Sequence, residues 1–198
     1  SKVSQMQDMF RNATDFNQSI SGWDVSNVTA MHNMFQGAVD FDQNISGWNV
    51  GKVIFMQNMF EDATSFNQPI SNWNTSKVTN MSDMFKNATA FNQDIGNWNV
   101  SSAANMSFMF YGASAFNQDI GDWNVSSVSN MKCLFDGATA FDQNLSKWNI
   151  SNVNDMSSMF EHAISFNQDI SDWNTSADVN MTEMFENTPA LSHANKGL

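Results

Sequence analysis

Asp94 and Asp119 hold the same place in two units 25 residues apart, so stacking those units sets their carboxylates about 5 Å from one another, near the spacing of a retaining glycosidase pair. Catalysis by such a pair needs one carboxyl kept protonated in a water-poor pocket, and a regular exposed column offers neither the pocket nor the raised pKa. Asp119 with Asp122, and Asp169 with Asp172, bracket Ile-Gly or Ile-Ser ahead of a tryptophan and present oxygen ligands to calcium, without a recognisable ligand loop. His32, His162 and His193 fall in three different columns, and none pairs with Cys133 at a metal-ligand spacing. H-E-x-x-H, P-loop, G-x-S-x-G and Rossmann fingerprints are absent. These residues point away from an enzyme, and neither metal nor cofactor is expected.

Amides are the better candidates. Asp24, Asn49, Asn74, Asn99, Asn124, Asn149 and Asn174 form one column beside the tryptophans, and an outward array of amides can give and accept hydrogen bonds to a sugar or a partner strand. The N-x-S/T sequons it creates, such as Asn99-Val100-Ser101, follow from the repeat and say little of glycosylation. A second amide column, Gln18, Gln43, Gln68, Gln93, Gln118, Gln143 and Gln168, reads instead as structural, bonding along the stack and satisfying turn backbone. Where a polar position turns apolar, Phe108, Tyr111 and Cys133 outline an alternative patch for a partner or for self-association, with Ile54-Phe55 a second departure.

All of these columns exist because the chain repeats. Methionine returns at Met6, Met31, Met56, Met81, Met106, Met131, Met156 and Met181, and tryptophan at every 25th residue from Trp23 to Trp173. Fixed-period self-similarity of this length is the signature of stacked repeats. Val28, Met31, Met34, Phe35 and Ala38 lie on one face of a helix, with Ser26 or Thr29 able to cap its start. The column Asn12, Gly37, Asp62, Asn87, Gly112, Gly137, His162 and Asn187 tolerates the left-handed residue that ends a helix. Trp48-Asn49-Val50 alternates as a short strand, with the apolar pair inward. The expected fold is an α/β solenoid of about eight turns, each a short helix plus a short parallel strand, with strands roughly 4.8 Å apart in a rod on the order of 40 Å long. A right-handed winding is favoured by the parallel-crossover rule.

No composition shift or linker interrupts the period, so residues 1–198 read as one domain whose last turn, about 176–198, is a degenerate cap: Leu191 and His193 replace the usual Phe and Gln. Lys and Arg number 8 against 20 Asp and Glu, a net charge of −12 that opposes nucleic acid and anionic membranes. Long apolar runs are lacking, so membrane insertion within this segment is not expected. The single Cys133 excludes an internal disulfide. The chain enters a repeat directly from Ser1 and reads as a piece of a longer protein.

The consensus M-x-x-M-F-x-x-A-x-x-F-N-Q-x-I-x-x-W-N-V-S-x-V-T, whose stretch from the first M to W-N-V is Met81–Val100, resembles the BspA-like repeat of bacterial and mycoplasma surface proteins, a divergent relative of leucine-rich repeats. Ile95-x-x-Trp98-x-Val100 is similar to the strand segment of that wider class, while Gly51, Cys133-Leu134 and Ala177-Asp178-Val179 depart from the pattern. The resemblance implies a leucine-rich-repeat-like, extracellular or cell-surface module for adhesion to a protein or glycan, without a catalytic site. Two other uses fit the regular array: a structural stalk or self-assembling rod, and binding of ice or crystalline polysaccharide.

Overall fold

In the computed structural model, which describes residues 2–196, the period becomes a stack of 25-residue coils, each bonded to the next. An α/β solenoid with a helix and a strand in each turn is not formed. The one helix among the described residues is α1, His193–Lys196, at the very end. Strand-like pairing is confined to isolated parallel bridges, one residue per coil, from Gln5↔Ala30 through Asp155↔Asn180.

The segment expected to be helical shows why. In the coil starting near Met81, the amides of Met84 and Ala88 donate to the carbonyls of Met81 and Phe85, three residues back, at 3.3 and 3.0 Å. Asp83 and Asn87, third in each of those turns, have φ of +56°. A three-residue hydrogen bond around a residue of positive φ is the signature of a type II turn, which asks for Gly or Asn at that place. The Gly/Asn column is therefore a turn column and not a helix end. Intervening amides look outside the coil: those of Met81, Asp83, Phe85 and Asn87 donate to carbonyls of Asn105, Ser107, Met109 and Tyr111 at 2.7–3.0 Å. A helix would have spent them within its own coil.

Apolar spacing survives the change of backbone. Met31, Met34, Phe35 and Ala38 are all fully buried, as a helical face would have had them. Phe85, Phe110 and Phe135 follow one another at 5.7 Å between ring centroids, Phe91, Phe116 and Phe141 at 6.0 Å, and within a coil Phe110 and Phe116 stack at 4.0 Å. One cluster of buried side chains runs from Met6 to Leu191. Alternation at the tryptophan also holds, with Trp48 and Val50 buried and Asn49 exposed, but the chain there bends through tight turns closed by Trp48 N–H to Ile45 and Val53 N–H to Val50. From Trp48 to Trp173 each indole reaches back one coil, Trp98 Nε1 donating to the Ile70 carbonyl at 3.0 Å, so the ring that fills the core also satisfies a buried carbonyl.

The final coil keeps the ladder with different residues. Its turn slips by one residue at Ala177-Asp178-Val179, where Val179 N–H meets Ser176 at 3.4 Å. Asn195 in α1 takes the part of the missing glutamine, its Nδ2 donating to the Asn167 carbonyl at 2.8 Å. No helix among the described residues is long and apolar enough to cross a membrane.

Candidate recognition surface

The asparagine column is exposed in every coil from Asp24 to Asn174. Its side chains are nevertheless ordered by the backbone they follow. Oδ1 of Asn99 accepts the N–H of Ser101 at 3.1 Å and its hydroxyl at 2.7 Å, and the same pair recurs at Asn74, Asn124 and Asn149, with Asp24 and Ser26 alike. Asn49 bonds the N–H of Gly51 alone, at 3.2 Å. At Asn174 this turn is not made, because the chain beyond it is displaced by one residue. An Asx turn uses the side-chain oxygen. In the asparagines, the Nδ2 donor is left over, repeated once per coil along the stack.

The glutamine column is structural. Asn92 Oδ1 accepts the Asn117 amide at 2.9 Å and Gln118 Nε2 at 2.8 Å, and the same two bonds link every coil from Asn17 to Asn167, with Asp42 and Asp142 standing in for asparagine. One oxygen thus ties two donors of the following coil.

The aromatic patch is half-buried. Phe108 and Tyr111 meet at 5.9 Å between ring centroids, the Lys86 ammonium lies 5.9 Å over the Phe108 ring, and Cys133 is only 6% exposed. Burial first, then the Asp136 carboxylate, pushes the Cys133 thiol up to about 11, so it stands protonated at neutral pH and lacks thiolate reactivity. Phe108 sits at φ +59° in a column otherwise filled by Asp, Asn, Ser, Cys and Glu. A bulky residue there is strained. Ile54 is half-buried and Phe55 is 43% exposed.

Asp94 and Asp119, the imagined acid pair, are exposed and each closes a local turn, onto Gly96 and Gly121 at 2.9 Å. Asp122 pairs with Lys147 at 2.7 Å in the open. Asp169 likewise bonds Ser171, which holds its carboxyl below the ordinary range. His193 opens α1, far along the chain from His32 and His162.

Sequence reading missed the charges between coils. Glu61, 7% exposed, accepts from Gln36 Nε2 at 2.6 Å and Asn58 Nδ2 at 2.7 Å and pairs with Lys86 Nζ at 2.9 Å, which lies 3.5 Å from Asp83. Further on, Asp136, Glu161 and His162 converge. The available signal was opposite or like charge in one column one period apart, Glu61 with Lys86 and Asp136 with Glu161. Burial raises the Glu61 carboxyl, but the bonds from Lys86, Asn58 and Gln36 outweigh it, and the group lies below its ordinary 4.5. Its contribution to stability is complete above pH 4.5 and is lost as the pH falls through the lower folded value. Burial moves Asp83 the other way, so it opposes that loss. Glu61→Gln should therefore melt at lower temperature than the parent at pH 7, with the gap shrinking toward pH 3; melting curves over that range check it.

Interlocking turns, a bonded side-chain ladder and a recurring core define a repeat protein with a 25-residue unit. The chain belongs to the family described as Mycoplasma protein of unknown function, DUF285, which matches residues 1–98, 49–137 and 91–197. No curated protein matches it.

Proposed function

We propose that the chain is a non-enzymatic recognition module that binds a macromolecular partner across the asparagine column. The observation that carries this is the uncommitted Nδ2 donor of Asn49, Asn74, Asn99, Asn124 and Asn149, held at a fixed orientation because each Oδ1 is tied into a turn. Side chains ordered before binding lose little entropy on binding, and repetition multiplies a weak contact. An uncharged, acceptor-rich ligand, a neutral glycan or an extended peptide, suits a row of donors on a protein of net charge −12. Resemblance to BspA-like repeats supports placement at a cell surface and a part in adhesion.

Asp24 supplies the clean test, since aspartate keeps the turn acceptor while deleting the donor. The triple variant Asn74→Asp, Asn99→Asp, Asn124→Asp should lose at least tenfold in binding to neutral glycan or peptide arrays, read in high salt, with its melting temperature held. Unchanged binding would remove the column from the function.

The strain at Phe108 favours a second reading, in which the Phe108–Tyr111 pair is the contact. Phe108→Asn relieves the backbone while removing the ring. On this reading binding falls although stability does not.

A further inference from the structure

The columns that place Glu61, Asp83 and Lys86 together hold a cation between two carboxylates, the Lys86 ammonium 2.9 Å from one and 3.5 Å from the other. Three coils on, a carboxylate again stands at the place of Glu61, but serine (Ser158) takes the place of Asp83 and a second carboxylate replaces the lysine. Asp136 and Glu161 stand one period apart in the column of Glu61 and Lys86, and His162 follows directly. His162 Nδ1 lies 3.2 Å from Asp136 Oδ1 and 3.6 Å from Glu161 Oε1, and one donor atom from each residue falls within 4.8 Å of the others. The two carboxylate side chains are only 13% and 20% exposed, and among the described residues neither pairs with a lysine or arginine.

The 3.2 and 3.6 Å separations from Nδ1 come close to those of a coordination shell. A tetrahedral divalent cation bonded to imidazole and carboxylate at about 2.0–2.2 Å sets neighbouring donor atoms roughly 3.3–3.6 Å apart. The imidazole also has a partner on its far side, Asn187 Nδ2 lying 3.1 Å from His162 Nε2 in the next coil. With Nδ1 given to a metal, the ring proton moves to Nε2, and a half-turn of the Asn187 amide presents its oxygen to it. Such an orienting bond is the usual support of a ligating histidine.

We propose that Asp136, Glu161 and His162 bind one divalent first-row transition cation, with Zn²⁺ as reference and water completing the shell. The nitrogen donor and the small ligand set select against calcium and magnesium, which prefer six or more oxygens. Because its ligands come from two coils and its orienting amide from a third, the ion would fasten this part of the stack. This site stands apart from the asparagine column and does not depend on it.

The test titrates Zn²⁺ alone into the full chain, followed by calorimetry and by melting temperature. One saturable site and a rise in melting temperature are expected, unaffected by equal calcium. His162→Asn sets at that positive φ the residue already found at Asn12, Asn87 and Asn187, so it should fold, and it should weaken binding at least tenfold. Glu161→Gln should do likewise, Asn187→Ala should do so less, and the His162 ring nitrogens should show metal on Nδ1 by NMR. Absence of saturable binding, or Zn²⁺ affinity untouched by His162→Asn, overturns the site, the latter assigning the ion to scattered surface carboxylates.

Discussion

Phe110→Ala is expected to lower unfolding stability by about 4 kcal/mol, the range of large aromatic truncations in a packed core. Phe110 is fully buried and touches rings on every side: Phe116 in its own coil at 4.0 Å, Phe85 and Phe135 in the flanking coils at 5.7 Å, and Trp123 at 6.4 Å between centroids. Removing it opens a void in a column of flat rings whose spacing is set by backbone bonds between coils, so neighbours cannot close over it. Denaturant unfolding measures the loss. Because each coil packs only on its neighbours, the weakness should also be local, and amide exchange should quicken in coils around Phe110 before it does near Phe35. A loss under 1 kcal/mol would mean that the stack relaxes freely along its length.

Asn92→Leu should cost about 1–3 kcal/mol, because the side-chain oxygen serves two donors of the next coil and one of them is left without an acceptor. Those donors are the Asn117 amide, which is orphaned, and Gln118 Nε2, which keeps its bond to the Asn92 backbone carbonyl at 3.1 Å. Asn92→Asp should stay within about 1 kcal/mol of the parent, since aspartate at Asp42 and Asp142 makes both bonds already, to Asn67 and Gln68 and to Asn167 and Gln168. Thermal melts of the two variants side by side read the oxygen and not the volume. Equal losses would show that packing of the side chain, and not its acceptor, holds the turn.

The sequence told which residues face inward far better than how the backbone carries them. Met31, Met34, Phe35 and Ala38 satisfy helical spacing, yet a chain of linked type II turns returns side chains to one face at the same intervals, and periodicity alone does not separate the two. Punctuation was read correctly as left-handed tolerance at Gly37 or Asn87 and attached to the wrong structure. The column Asp8, Asn33, Asn58 and Asp83 carried the missing clue: a second run of residues fit for positive φ, four places earlier, which no helix interior would want. Structural use of the glutamines was legible because a buried turn needs partners, whereas the Glu61 lattice and the Asp136, Glu161 and His162 group appear only when columns are set side by side.

The amides leaving each coil at Met81, Asp83, Phe85 and Asn87 all run toward the C-terminal neighbour, and the same four places do so in earlier and later coils. The stack therefore has a direction, and any coil offers the one after it what it took from the one before. A segment of 25 residues inserted at a coil boundary would find acceptors ahead and donors behind already in register, whereas most other lengths would turn core methionines outward. Gene duplication in whole units can thus lengthen or shorten such a protein without designing a new interface, and a change of reach would come at no cost to the fold.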